Sequence, residues 1–380
     1  EFRRVLFRSQ YEAANPGDTV YVKKPARFLV GSSLDITATI QDIKQEKVPL
    51  VLDKLANVAF KMNSLETAYD KPIQYWNDEF VEPAMNALAA EMDRWAMDKA
   101  AASVANLVGT AGVPSGAVRQ FLQANQKIYE NLAPEGEDDM FGMLNPATNT
   151  ETVDARKGLF NPQTNIAKQY RSAYIGEGEG FTYLRSNLLP TFTNGTASGA
   201  HTVTTTSVNG ATTIAITGTG TQTLTRGMVF TVNGVFDVHP LTKQALATLK
   251  QFVITANATA VGGAYAAVAI APTIYDAASG TSLQNVSALP QSGATVTLWG
   301  VASTAYQQNL TYHKDAFRFV SVPLYKPDGA VDFAANEMVD GIAVRALRGF
   351  DIKTSESIMR FDILAGLASV RPEWACRAAG

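Results

Sequence analysis

The chain has 380 residues, 46% of them apolar and 18% charged, with 32 Lys and Arg against 35 Asp and Glu and a net charge of −3. That length suits roughly two to three domains, and the apolar share excludes a disordered chain. The charge balance excludes a dedicated nucleic-acid binder, which carries a basic excess. The single Cys376 excludes an intrachain disulfide framework, and the three scattered histidines, His201, His239 and His313, leave little material for a zinc or catalytic centre.

Residues 1 to 9 read as a non-native scar, with 4 to 9 a translated adapter joined to a truncated gene. An ordinary basic arm is the alternative. They are no signal peptide, because they lack an apolar core and a small-residue cleavage site. Residues 17 to 63 read as extended. Gly17-Asp18 is a turn signal, Thr19 to Val22 is β-prone, and Lys23-Lys24-Pro25 breaks it. Val48, Leu50 and Leu52 alternate with their neighbours, as do Val58, Phe60 and Met62. A long β-arm with few companions needs another part of the protein or another subunit to cover it. Val20, Val22, Val48, Leu50, Val58 and Phe60 are therefore expected to be poorly packed within one chain.

Residues 72 to 107 switch period. Trp76, Phe80, Ala84, Leu88, Met92 and Trp95 recur at steps of four and three, one face of a helix. Asp78, Glu79 and Glu82 come early and Arg94 and Lys99 late, which complements the helix dipole. Pro83 is tolerated in a first turn and otherwise kinks the helix. At about 1.5 Å per residue such a helix is roughly 40 to 50 Å long, which predicts an elongated molecule. A second helix is expected from 115 to 132, an acidic loop at 135 to 139, a short strand at 140 to 144 and a helix over 147 to 157. From about Gly195 the composition changes sharply. Between 195 and 312 the only charged residues are Arg226, Asp237, Lys243, Lys250 and Asp276, and Thr, Ala, Gly and Val dominate. Short β-type runs separated by Gly and Asn turns predict a compact all-β module of roughly six strands. Met359, Phe361 and Ile363 then alternate with polar neighbours. The longest nearly apolar stretch, 261 to 272, is too short to cross a bilayer as a helix.

No motif points to chemistry. Gly176-Glu177-Gly178-Glu179-Gly180 has the glycines of a phosphate loop, but two carboxylates would repel phosphate and no helix follows, so a flexible loop is the better reading. His313-Lys314-Asp315 is contiguous, and neighbours on a strand point to opposite faces. The run 135 to 139 lacks the alternating ligands of a calcium loop. Trp76 and Trp95 read as core or interface anchors, and Cys376 as a small packed residue. Asn194-Gly195-Thr196 and Asn257-Ala258-Thr259 match glycosylation sequons only as background. No catalytic, cofactor-binding or metal-binding residue is expected, and no cofactor.

Certain strings carry a resemblance. Leu144-Asn145-Pro146 before a helix and Arg371-Pro372-Glu373-Trp374-Ala375 at the end, in an order of β-arm and long helix, resemble tailed-bacteriophage major capsid proteins and their Johnson fold. Gly17-Asp18-Thr19-Val20 with Lys24-Pro25, Tyr183-Leu184-Arg185-Ser186-Asn187 and Asn309-Leu310-Thr311-Tyr312-His313-Lys314-Asp315-Ala316-Phe317 are similar to the coat-protein family of short-tailed Salmonella-type phages. The likeness spans about residues 10 to 378.

That resemblance implies an α+β capsid fold with a long spine helix, an extended β-arm, peripheral and axial domains and an inserted all-β barrel. It divides the chain into an N-arm remnant and extended loop (10–71), spine helix and peripheral domain (72–139), axial domain (140–194), inserted barrel (195–302), axial return (303–318) and peripheral sheet (319–380). The implied function is a major capsid protein, not an enzyme, that self-assembles through pentamers and hexamers into an icosahedral virion shell. Its implied partners are further copies of itself, a scaffolding protein and a portal. It would enclose double-stranded DNA without specific binding, with no membrane contact, and assemble in the host cytoplasm. Lys44, Lys47 and Lys54 could supply amines for the isopeptide weld of some relatives, but no Asn follows Asn336, so that chemistry is not carried over. The alternative is a different phage structural or adhesion protein using the Thr/Gly-rich module for receptor binding, which would need neither the long helix nor the arm. A hydrolase with a carbohydrate-binding module is a third reading without positive support.

Overall fold

The computed structural model describes residues 7–8, 17, 19–24, 28, 40, 47–63, 77–134, 136, 139–156, 175–279, 282–327, 331–339, 341–354 and 356–380. In chain order the first strands are β1 (Phe7–Arg8), β2 (Thr19–Lys23), β3 (Lys47–Val51) and β4 (Lys54–Asn63). A π turn at Asn77–Val81 runs into helix α1 (Glu82–Ser103). Next come β5 (Leu107–Val108), α2 (Val118–Glu130), β6 (Met140–Leu144), α3 (Pro146–Arg156), β7 (Glu177–Gly178), β8 (Phe181–Arg185) and β9 (Thr191–Thr193). The Thr/Gly-rich region gives β10 (His201–Thr202), β11 (Ala211–Thr217), β12 (Thr223–Leu224), β13 (Val229–Val238), β14 (Ala245–Ile254), β15 (Ala258–Thr259), β16 (Ala264–Ile274) and β17 (Thr295–Leu298). The chain closes with β18 (Ala305–His313), β19 (Phe317–Val322), β20 (Phe333–Val339), β21 (Ile342–Asp351), β22 (Glu356–Ser369) and β23 (Ala375–Ala379). The fold is α+β, and the chain divides into two compact units.

The first unit takes Glu1–Lys23, Lys47–Met97 and Phe317–Val370. Its six-stranded sheet has the order β1-β19-β22-β21-β20, with β4 on the opposite side of β22. β22 is long enough to serve three neighbours: β4 along Glu356–Ala365, β21 along its first half and β19 along its second. On one face Phe361 stands opposite Val58, and Phe60 lies 6.4 Å from both Phe361 and Phe80. Period-two alternation gives way to continuous burial from Phe361 to Ala368 because the β2–β3 hairpin covers the other face. There Leu50 and Leu52 pack with Val320, Val322, Leu364 and Ala368. Gly366 permits this approach: a Cβ at that position would lie 2.5 Å from the Val51 carbonyl oxygen.

This corrects the reading of 17–63 as one poorly packed arm. Leu50 has no exposed surface, Val20, Val22, Val48, Val58 and Phe60 are half-buried, and β4 is paired along its whole length. Alternation looks the same in a free arm and in a strand whose partner lies some three hundred residues downstream. Most of residues 25–46 lies outside the described residues.

The helix expected over 72–107 is α1 with its preceding π turn; 72–76, including Trp76, lie outside the described residues. Pro83 is the second residue of α1 and has no N–H to give the turn before it. A wide π turn accommodates such a residue where an α turn would clash. The buried stripe then runs Leu88, Met92, Ala96 and Ala100, so Trp95 sits beside it and is half-buried. The helix also ends four residues early. Ser103 Oγ donates back to the Ala100 carbonyl at 2.7 Å, and Leu107–Val108 pairs with β23 instead. A tertiary ladder takes residues that helical periodicity had claimed.

The second unit takes Lys24–Glu46, Asp98–Ala316 and Arg371–Gly380. Its seven-stranded sheet has the order β5-β23-β18-β6-β8-β7, and β9 pairs the start of β18. β23 therefore belongs here and not to the sheet of β19–β22, although both lie in the segment 319–380. α2 buries Phe121, Ala124 and Ile128, and Pro146 opens α3, where a missing N–H costs nothing.

Strands β10 to β17 contribute nothing to that sheet. Six of them form a sheet of order β10-β17-β13-β14-β16-β11, and a Val203–Ile216 bridge beside β10 and β11 nearly closes it into a barrel. Val203, Ile214, Ile216, Phe230, Val232, Phe252, Ile254 and Val268 fill the interior. β12 and β15 form a separate pair. The chain enters and leaves side by side: the Asn194 N–H donates to the Thr304 carbonyl and the Ser303 N–H to the Gly195 carbonyl, both at 3.0 Å.

Candidate functional site

Several of the buried polar residues tie one element to another. In the first unit Asp362, fully buried, accepts from Arg345 Nε and Nη2 (3.1 and 2.6 Å) and from Arg360 Nε (2.6 Å). Arg345 Nη1 continues to the Tyr325 carbonyl at 2.8 Å. An open cavity of about 610 Å³ beside Arg360 is lined by Asp332, Asp351, Gly349 and Ile358. Both Asp362 oxygens are occupied by guanidinium donors, so this carboxylate is a cross-strand clamp and not a base.

In the second unit Gly176–Gly180 is not a flexible loop. Glu177–Gly178 form β7, and Glu179–Gly180 make the turn into β8, with Glu179 at φ 51°. The Glu179 carboxylate is buried against Arg156, accepts from the Tyr183 hydroxyl at 2.8 Å, and its backbone carbonyl accepts from Asn125 at 2.9 Å. Burial, and then the Glu179 charge, pushes the Tyr183 phenol up. The carboxylate is held by the guanidinium and the phenol together, although Arg156 Nε meets no hydrogen-bond partner.

His313 ends β18 with its ring buried. Its Nδ1 accepts the Asp315 N–H at 3.1 Å, while Nε2 stands 3.8 Å from Asp139. The ring meets Trp374 edge-on at 5.2 Å, and the Arg371 guanidinium covers the indole at 4.0 Å. Asp139 pairs with Lys314. Burial holds His313 below its ordinary value, which keeps the ring neutral. His313 Nε2 and Lys314 thus both face Asp139, while the Asp315 carboxylate lies 3.9 Å from the other ring nitrogen, Nδ1, so the cluster is an ion-pair network around a neutral ring.

Cys376 is wholly buried and its thiol is pushed up to about 11, which leaves it inert. Arg377 beside it is equally buried, donates from Nη1 to the Gly227 carbonyl at 2.8 Å, and lies 5.7 Å from the Phe192 ring. The sequon asparagines shape turns: Asn194 Nδ2 donates to the Trp299 and Val301 carbonyls, and Asn257 Oδ1 accepts the Arg226 N–H. Lys54 pairs with Glu91 at 2.8 Å and Lys47 is exposed; Lys44 lies outside the described residues. Among the described residues no group of three His, Cys, Asp or Glu side chains could hold a metal, and no helix is long and apolar enough to cross a membrane.

Sequence reasoning missed Arg156 with Glu179, Asp362 and Arg377. The available signal was a charge inside an apolar run: Asp362 between Phe361 and Ile363, Arg377 between Cys376 and Ala378. It did find the string at 309–317. Asn309 within it is fully buried and joins three elements, accepting the Asn145 N–H at 2.9 Å and donating to Thr148 and to the Ala378 carbonyl.

A sheet built around one long strand, a helix entered through a π turn, and a second unit carrying a nearly closed barrel accompany a family match that makes this chain a tailed-phage major capsid protein. The P22 coat protein family (gene protein 5) matches residues 10–377, and the chain belongs to that family. In fold the chain is similar to a solved structure from Mycobacterium phage Che8, at TM-score 0.50 and 13% identity, over 100% of this chain and 90% of that one. The capsid of Ralstonia phage GP4 matches at TM-score 0.48 and 8% identity, over 100% and 87%. The CUS-3 coat protein I-domain is 26% identical over 27% of this chain and 96% of its own length, at TM-score 0.21. No curated protein matches the chain. The protein is thus a structural subunit that assembles with its own copies, as capsomers, into the icosahedral shell of the virion.

Proposed function

We propose that the role of this chain is wholly structural and that its domains follow the capsid plan. The first unit serves as the peripheral domain. The sheet of β5, β23, β18, β6 and β8 serves as the axial domain around five- and six-fold axes, and residues 195–302 are an inserted barrel. The observation that carries this reading is the pair of hydrogen bonds joining 194–195 to 303–304. Ends that lie together let a host domain accept an insertion without rearrangement. Capsomers are pentamers and hexamers, built in the host cytoplasm with a scaffolding protein and completed at a portal. The shell encloses double-stranded DNA without gripping it, since a subunit of net charge −3 releases few counterions.

Electron microscopy of the chain expressed with and without a scaffolding protein tests this. Closed shells of uniform size with the scaffold, and irregular or no shells without it, are expected. Loss of shells under both conditions overturns the assembly reading. DNA binding by purified subunits is expected to be weak and abolished by salt; nanomolar, sequence-specific binding overturns the passive enclosure.

A further inference from the structure

β5 is the edge strand of the seven-stranded sheet. It pairs in parallel with β23, Leu107 opposite Arg377 and Val108 opposite Ala378, and the Arg377 N–H donates to the Asn106 carbonyl at 2.8 Å. Along a strand, successive residues direct their N–H and C=O groups to alternate sides. Asn106 faces β23, so Leu107 and Gly109 direct their peptide groups away from it, to the place where a further strand would lie. A row of such unpaired groups is a template for another chain.

Side chains of the barrel occupy that place. Gln251 Oε1 accepts the Leu107 N–H and Gln251 Nε2 donates to the Leu107 carbonyl, each at 2.9 Å. A primary amide thereby meets both groups of one residue, the exchange a hydrogen-bonded residue of an antiparallel strand would make. Two residues on, Trp299 Nε1 donates to the Gly109 carbonyl at 3.2 Å. Lys127 on α2 reaches the same Leu107 carbonyl at 3.4 Å and holds Gln251 Oε1. Gln251 projects outward from β14 because its neighbours Phe252 and Ile254 fill the barrel interior. Val229 and Val253 of the barrel complete the seal in an apolar cluster with Leu107 and Ala379.

We infer that the inserted barrel is an intramolecular cap on the sheet edge: Gln251 and Trp299 stand in for the missing strand beside β5 and keep a second copy of this chain from pairing there. The occupant excluded is a second copy because this chain gathers in many copies in one shell, where each exposed edge meets its equals. The inference depends on the barrel's contact with β5 and not on scaffold, portal or DNA.

Two full-chain variants test it. Gln251→Met keeps the volume and removes both hydrogen bonds; Gln251→Glu keeps the acceptor and removes the donor. Amide exchange is read on the peptide covering 104–110, and association by sedimentation velocity over a concentration series. Gln251→Met is expected to speed Leu107 exchange at least tenfold while β13 and β14 stay protected, and to associate at concentrations where the unaltered subunit does not. Gln251→Glu is expected to retain Leu107 protection and associate to an intermediate degree. Unchanged Leu107 exchange in Gln251→Met, or fast exchange without added association, overturns the inference. If Gln251→Met does not fold, Gln251→Glu decides: association no greater than that of the unaltered chain overturns it.

Discussion

Leu50→Ala separates a packed hairpin from a free arm. Leu50 has no exposed surface and touches Val320, Val322, Leu364 and Ala368. Truncation removes three carbons' worth of burial at about 0.8 kcal/mol each, or ~2.4 kcal/mol of transfer free energy. A cavity adds to this, because the walls are ladder-paired strands and Gly366 already holds the hairpin at contact distance. The expected loss is therefore about 3–4 kcal/mol, inside the range for buried Leu→Ala changes. Leu55, 44% exposed on the neighbouring strand, is the control and should lose about 1 kcal/mol or less. Urea unfolding of the soluble subunit measures both, with amide exchange on β2 and β3 as the local probe. A Leu50 loss no larger than the Leu55 loss, with β2 and β3 exchanging freely in the unaltered chain, would mean that the hairpin is detached and the free-arm reading correct.

Asp362→Ala leaves Arg345 partly buried without its carboxylate and should cost about 3–5 kcal/mol in thermal or urea unfolding. The double change Asp362→Leu with Arg345→Met should recover most of that loss; failure to recover would mean that packing and not charge is at fault. Because burial lowers the His313 pKa, the unfolded chain takes up the proton first as the pH falls. The stability contributed by neutral His313 is thus fully present above about pH 6.5 and is lost as the pH drops below it. His313→Gln should flatten the stability profile in that acidic window, and an unchanged profile would refute the assignment. Cys376, pushed up to about 11 and wholly buried, should resist thiol reagents at pH 8 in the folded subunit and react at once in denaturant; equal rates would contradict its burial.

What the sequence by itself determined was local and compositional. The period of four over 80–92, the strand before Asn145-Pro146 and the low-charge Thr/Gly region from 195 each arise from neighbours in the chain, and each corresponds to α1, β6 and the barrel strands. Only the tertiary structure decided where period-two segments go. Val48–Leu52 and Val58–Met62 carry the same alternation, yet one folds over the sheet face and the other enters its ladder, because β22 supplies both a covered face and an open edge. The helix end was decided the same way: Leu107 lies within the stretch expected to be helical, but β23 offers a backbone ladder that outweighs one more helical turn. The buried ties are the extreme case. Glu179 with Arg156, Asp362 with Arg345, and Gln251 with Leu107 join residues 23, 17 and 144 positions apart. A charge or amide becomes a tie only when folding removes it from water and brings one partner of the right geometry; apolar neighbours can signal the first, as they do beside Asp362, but the partner is not written in the residues beside it.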